Sequence, residues 1–124
     1  MVLDRSNSTL TPPTAANFAT VAGVNTAAAA RITVSSNATY TITAAAASAT
    51  FSGGSNSKPS STLKYTTDGF TSLKAVTGAG SALVMTAAVT ASAVYTIGYN
   101  TTYAWLQDTP GTYTLAINYT LTAP

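Results

Sequence analysis

The sequence predicts an all-β fold, an immunoglobulin-like antiparallel β-sandwich of about six to eight strands preceded by an extended N-terminal arm. Three observations lead there. Between Thr112 and Thr122, the apolar series Tyr113, Leu115, Ile117, Tyr119 and Leu121 alternates with Thr112, Thr114, Ala116, Asn118, Thr120 and Thr122, and a period of two places each series on its own face of a strand. Short apolar segments of similar character recur along the chain, separated by Ser-, Asn-, Gly- and Pro-containing turns. The whole is 124 residues long, the size of one domain with one core.

Taken in order, residues 1–13 read as an arm, with Val2, Leu3 and Leu10 as its apolar anchors ahead of Pro12-Pro13. Residues 14–124 read as the sandwich. Ile32 and Val34 define a strand that the Ser35-Ser36-Asn37 turn joins to Thr39–Thr43, where Tyr40 and Ile42 face inward; the two are expected to pair as a hairpin. Ala27–Ala30 and Ala44–Ala47 are too short for isolated helices and are read as strand ends whose small side chains let two sheets approach. The Phe51–Pro59 stretch, rich in Ser and Gly, is expected to be a surface loop. Strands follow at Ser61–Thr66 (Leu63, Tyr65), Ser81–Thr90 (Leu83, Met85, Val89) and Val94–Tyr99 (Tyr95, Ile97, Tyr99). The Asn100-Thr101-Thr102 turn then leads to a short strand at Tyr103–Leu106, and Thr109-Pro110-Gly111 turns the chain into its last strand.

The inventory of reactive side chains excludes most catalysis. There is no His, no Cys and no Glu, and charged residues make up 6% of the chain, against about 25% in an ordinary soluble domain. Neither a Ser-His-Asp nor a Cys-His arrangement can be assembled, and no thiolate or imidazole is present to hold a transition metal. Asp68 and Asp108 stand beside turns, where a carboxylate is expected to serve local hydrogen bonding. Ser57 and Lys58 lie side by side in the Gly/Ser loop, with no neighbouring apolar segment to desolvate the lysine. No catalytic residue, cofactor or metal ligand is expected. The five cations Arg5, Arg31, Lys58, Lys64 and Lys74 give a net charge of +2 but are scattered, so nucleic acid is not expected as a partner. No apolar stretch approaches the roughly 18 residues of a membrane span.

One motif has a chemical reading. Asn-x-Ser/Thr occurs at Asn7, Asn37, Asn100 and Asn118, four of the seven asparagines, and marks acceptors for N-linked glycan. Asn37 and Asn100 are placed in turns and Asn118 on the polar face of the last strand, where all three are expected to be accessible. Among the aromatics, Tyr40, Tyr95, Tyr99, Tyr113 and Tyr119 fall on inward faces. Tyr103 and Trp105 are the two expected to face a partner.

The run Tyr103-Ala-Trp-Leu-Gln-Asp-Thr-Pro-Gly-Thr-Tyr-Thr-Leu-Ala-Ile-Asn-Tyr-Thr-Leu-Thr-Ala-Pro124 resembles the end of WxL-type cell-surface domains and of spore-coat-U-like and related pilin domains. Arg31-Ile-Thr-Val-Ser-Ser-Asn-Ala-Thr-Tyr-Thr-Ile resembles their early strand, asparagine turn and tyrosine strand. Trp105-Leu106 has no intervening residue, so the paired Trp-x-Leu signature is absent. The likeness implies an exported sandwich at the cell surface. With the charge-poor, Thr-rich composition it sets the functional expectation: a non-enzymatic structural subunit of an extracellular filament or surface layer. Its partners would be copies of itself, joined when the N-terminal arm adds a strand to a neighbour. The alternative expectation is a monomeric adhesion or carbohydrate-binding module whose partners are cell-wall or host glycans.

Overall fold

The computed structural model describes residues 1–4, 8–10, 14–19, 23–53, 57–76, 81–88, 90–104, 108 and 111–123. Among them eight strands form two antiparallel sheets. β1 (Val2–Asp4), β2 (Val24–Ser36), β4 (Leu63–Thr66), β5 (Lys74–Ala75) and β7 (Thr90–Thr101) make a five-stranded sheet in the order β1-β2-β7-β4-β5. β3 (Tyr40–Ala46), β6 (Ser81–Ala87) and β8 (Ile117–Thr122) make a three-stranded sheet in the order β6-β3-β8. Single 3₁₀ turns at Ala15–Ala19 and Ser60–Thr62 interrupt the connections.

The alternation that defines the strands also builds the core. β3 buries Tyr40, Ile42, Ala44 and Ala46 in strict alternation. Tyr95 stands opposite Ile32 and Tyr99 opposite Tyr65 on the inner face of the larger sheet. Ile32, Val34, Ile42, Val76 and Ile97 are completely buried, and each such side chain stabilises the fold by about 1.5–3 kcal/mol. Along the last strand the inward residues Tyr113, Leu115, Ile117, Tyr119 and Leu121 are half-buried against this core, with exposed residues between them. The expected period thus holds from Tyr113 onward. The ladder with β3 begins only at Ile117, because Thr114 bonds Ser52 instead.

The expected hairpin between Ile32–Val34 and Thr39–Thr43 does not form. β2 and β3 belong to different sheets, and the Ser36-Asn37 turn carries the chain across the core. Burying Ile32 and Val34 from one side and Tyr40 and Ile42 from the other uses the same alternation as a hairpin would, so the pattern alone could not separate the two. Asn100-Thr101-Thr102 is likewise not a turn between strands. β7 continues through Thr101, held on both sides by Val24–Asn25 of β2 and Leu63–Lys64 of β4. Tyr103 and Ala104 lie outside any strand, and Trp105 and Leu106 fall outside the described residues.

Ala44–Ala46 end β3, as expected, and Ala47 lies beyond it, whereas the Ala27–Ala30 run lies inside β2. In β2 the register slips between Thr26 and Ala30, Ala28 takes a φ of 51°, and Ala29 and Ala30 are both buried in succession. A side chain no larger than a methyl limits the crowding that a left-handed residue inside a strand would cause. The opposing strand supplies Gly98, where a Cβ would come within 2.6 Å of the Phe70 ring. Phe70 is held there by the β4–β5 turn. Thr66 Oγ1 donates to Asp68 Oδ1 at 2.7 Å, and the Ser72 N–H donates to the same oxygen at 2.9 Å. The Ser72 amide and then the Thr66 hydroxyl hold the Asp68 carboxyl below its ordinary pKa, as expected for a carboxylate serving its own turn.

Candidate functional site

The densest polar chemistry lies where the β3–β4 connection meets the β7–β8 connection. The first closes on itself: the Phe51 N–H donates to the Lys58 carbonyl at 2.8 Å, and the Ser60 N–H donates to Ala49 O at 2.8 Å. It is tied to the second by reciprocal bonds between Ser52 and Thr114, of 2.8 and 2.9 Å. Gly53, at φ +102°, lets the two backbones touch, since a Cβ would fall 1.9 Å from the Thr112 carbonyl oxygen. Phe51 turns its ring into the core.

This framework desolvates a lysine that the sequence placed in a solvated loop. The side chains of Lys58 and Asp108 are 3% and 5% exposed, and Lys58 Nζ lies 2.6 Å from Asp108 Oδ1. Nζ also donates to the Thr102 carbonyl at 2.8 Å. The second carboxylate oxygen, Oδ2, accepts the Ala104 N–H at 2.6 Å, and the Asp108 N–H donates to Ala104 O at 2.9 Å. Two rings cover the ammonium: the Tyr103 centroid is 5.0 Å and the Phe51 centroid 6.0 Å from Nζ, both in the range of a cation–π contact. Phe18 packs against Tyr103 with centroids 5.8 Å apart. Burial first, and then the Asp108 charge, raise the Tyr103 phenol above its ordinary pKa. Ser57 is exposed while Lys58 is buried, so the two neighbours do not act as a pair. Asp108 keeps its expected local bond to Ala104 and adds a long-range one that no local pattern announces.

A second polar system crosses the core. Tyr40 of β3 meets Tyr95 of β7, hydroxyl to hydroxyl, at 2.6 Å, and Tyr99 of β7 meets Tyr119 of β8 in the same manner. Each pair joins one sheet to the other. Burial, assisted by Tyr95, raises Tyr40 to about 12; burial and then Tyr99 raise Tyr119 as well.

The expected glycan acceptors separate. Asn37 is exposed in the β2–β3 connection and Asn118 on the outer face of β8. Asn100 is 2% exposed, and its Nδ2 donates to Asn25 Oδ1 at 2.7 Å, which corrects the expectation of an accessible turn. Its strand continues past the point where a turn was read. Asn7 falls outside the described residues.

The arm's first residues lie along the chain's own sheet. β1 pairs with β2, matching Val2 with Thr33, Leu3 with Ile32 and Asp4 with Arg31. Opposite Ile32, Leu3 lies on the core side of the sheet edge and is 37% exposed. Ser8 Oγ donates to the Ala29 carbonyl, and Leu10 packs half-buried against the core. The Val2 side chain, Pro12-Pro13 and Trp105 lie outside the described residues. Tyr103, expected to face a partner, instead covers Lys58.

Comparison with protein-family models, with curated proteins and with solved structures finds no match.

Proposed function

We propose that the chain is a non-enzymatic structural subunit of an extracellular filament or surface layer, an immunoglobulin-like sandwich that assembles by strand donation. The observation that carries the reading is β1, a three-residue strand at the outer edge of the larger sheet. The same Val2–Asp4 segment of another copy can take that place in the same register. Closed and exchanged forms then make the same contacts, so exchange costs little and concentration decides between them. Passed head to tail, the exchange continues as a filament. The outer faces suit a crowded extracellular array: exposed Ser35, Ser92, Thr96, Thr120 and Thr122 offer hydroxyls in place of charge, and Asn37 and Asn118 stand open to glycan.

The same pairing favours a second reading, because a chain that closes its own sheet edge can act as a monomer. That reading is the adhesion or carbohydrate-binding module. Sedimentation and electron microscopy of the full chain over a wide concentration range separate the two. Donation predicts polymers that vanish on deletion of residues 1–4, with the remaining sandwich folded. A full chain that stays monomeric at millimolar concentration leaves the monomeric module.

A further inference from the structure

The Lys58–Asp108 contact has the hydrogen-bond inventory of an amide. Apart from the contact between the two groups, among the described residues Nζ donates once, to Thr102 O at 2.8 Å, and the carboxylate accepts once on its far oxygen, from the Ala104 N–H at 2.6 Å. A secondary amide has one N–H and one carbonyl oxygen, and both of these bonds would survive its formation. A chain with eight charged residues has also placed two of them in its interior. A buried ion pair is costly to desolvate even when well paired, and an amide in its place carries no charge at all.

We propose that Lys58 and Asp108 condense into an intramolecular amide, a covalent cross-link between the β3–β4 and β7–β8 connections. Proton transfer from Nζ to Oδ1 across the 2.6 Å contact converts ammonium and carboxylate into amine and carboxylic acid. The Nζ lone pair attacks Cγ. Negative charge then develops on Oδ2, where the Ala104 N–H already points and acts as an oxyanion donor. A second proton passes from nitrogen to Oδ1 as the C–Oδ1 bond breaks, and that oxygen leaves as water. The third proton stays on nitrogen and continues to donate to Thr102 O. Atoms and charge balance with no added reagent. Phe51 and Tyr103 keep bulk water from returning the product to acid and amine. The reaction occurs once per chain and does not depend on whether the chain assembles.

Intact-mass spectrometry of the purified full chain is the test. The expected mass is that of the sequence less one water, for all or part of the material. Trypsin cuts after Arg31, Lys64 and Lys74 but not at Lys58, which precedes Pro59. The cross-link should therefore appear as residues 32–64 joined to residues 75–124. Asp108→Ala and Lys58→Met should each restore the full mass. If either variant fails to fold, the wild-type digest still decides. A wild-type chain of full mass, or a missing water that persists in both variants, overturns the proposal.

Discussion

Between the two sheets polar groups meet as neutral phenols; between the two long connections they meet as a lysine and an aspartate. Tyr40–Tyr95 and Tyr99–Tyr119 are each satisfied by one hydroxyl contact, and the rings bring apolar area to the core along with the oxygen. Lys58 and Asp108 require two backbone partners and two aromatic covers to occupy the same kind of interior. The two arrangements are expected to differ in how they fail. Losing one phenol oxygen leaves a neutral group short of one bond, whereas losing one member of the Lys58–Asp108 pair strands a charge.

The largest effect expected from that contrast is at Lys58. Relative to wild-type chain in which the amide has not formed, Lys58→Met leaves the Asp108 carboxylate buried without its counter-charge, and should cost about 3–5 kcal/mol in urea denaturation. Against that same uncondensed reference, Lys58→Met with Asp108→Leu should recover most of the loss, because no charge then remains inside. If the single and double variants are equally unstable, charge is not what distinguishes this region.

The tyrosine pairs should respond less. Tyr119→Phe leaves the buried Tyr99 hydroxyl without its partner and should cost about 1–3 kcal/mol. Replacing both Tyr40 and Tyr95 by Phe should come close to neutral, since neither side is then left with an unmet bond. Equilibrium unfolding of the two variants measures the difference.

Alkali sharpens the comparison further. The Tyr40 phenol is raised to about 12 by burial and by Tyr95, while in the unfolded chain it ionises near about 10. Its contribution is therefore complete below about pH 10 and is lost as pH rises from there through about 12, where the unfolded state gives up a proton that the folded state retains. Urea midpoints should fall between pH 9 and pH 11.5, and less steeply in Tyr40→Phe. Tyr99 and Tyr119 are raised as well, mainly by burial, so the slope should shrink without vanishing. A midpoint unchanged across this range would mean that the phenols are not held neutral by the core.

The smallest effects belong to the open asparagines. Asn37→Gln and Asn118→Gln should each change stability by less than about 0.5 kcal/mol, while glycopeptide analysis of material from the native cell should find any glycan at these two positions. Asn100 should be bare there. Glycan on Asn100 would mean that modification precedes closure of β7 between β2 and β4.

How much of this was legible beforehand depended on range. The period-two rows Tyr40–Ile42, Tyr95–Ile97–Tyr99 and Tyr113–Leu121 identify strands and their inward faces, because adjacent side chains alternate whatever the strand pairs with. The Asp68 turn was equally readable, since its partners Thr66 and Ser72 lie within four residues. Composition removed the imidazole, thiol and glutamate chemistries before any fold was known.

Pairing was a different matter. Whether β2 bonds β3 or faces it across a core depends on what else fills the sheets, and both arrangements bury the same residues. Asn100 looked like a turn because its strand ends in polar residues, yet Asn25 and Lys64 bracket it from strands far away in sequence. Lys58 looked solvated because a lysine's local surroundings were Ser, Asn and Pro. Its environment came from Phe51, Thr102, Tyr103 and Asp108, and Asp108 is fifty residues away. The sequence by itself determined the strands, their inward faces and the absent chemistries, because alternation and composition are local properties of the chain. Only the tertiary structure decided the sheet order, the burial of Asn100 and the enclosure of Lys58 with Asp108, because each depends on segments that meet only when the two sheets close.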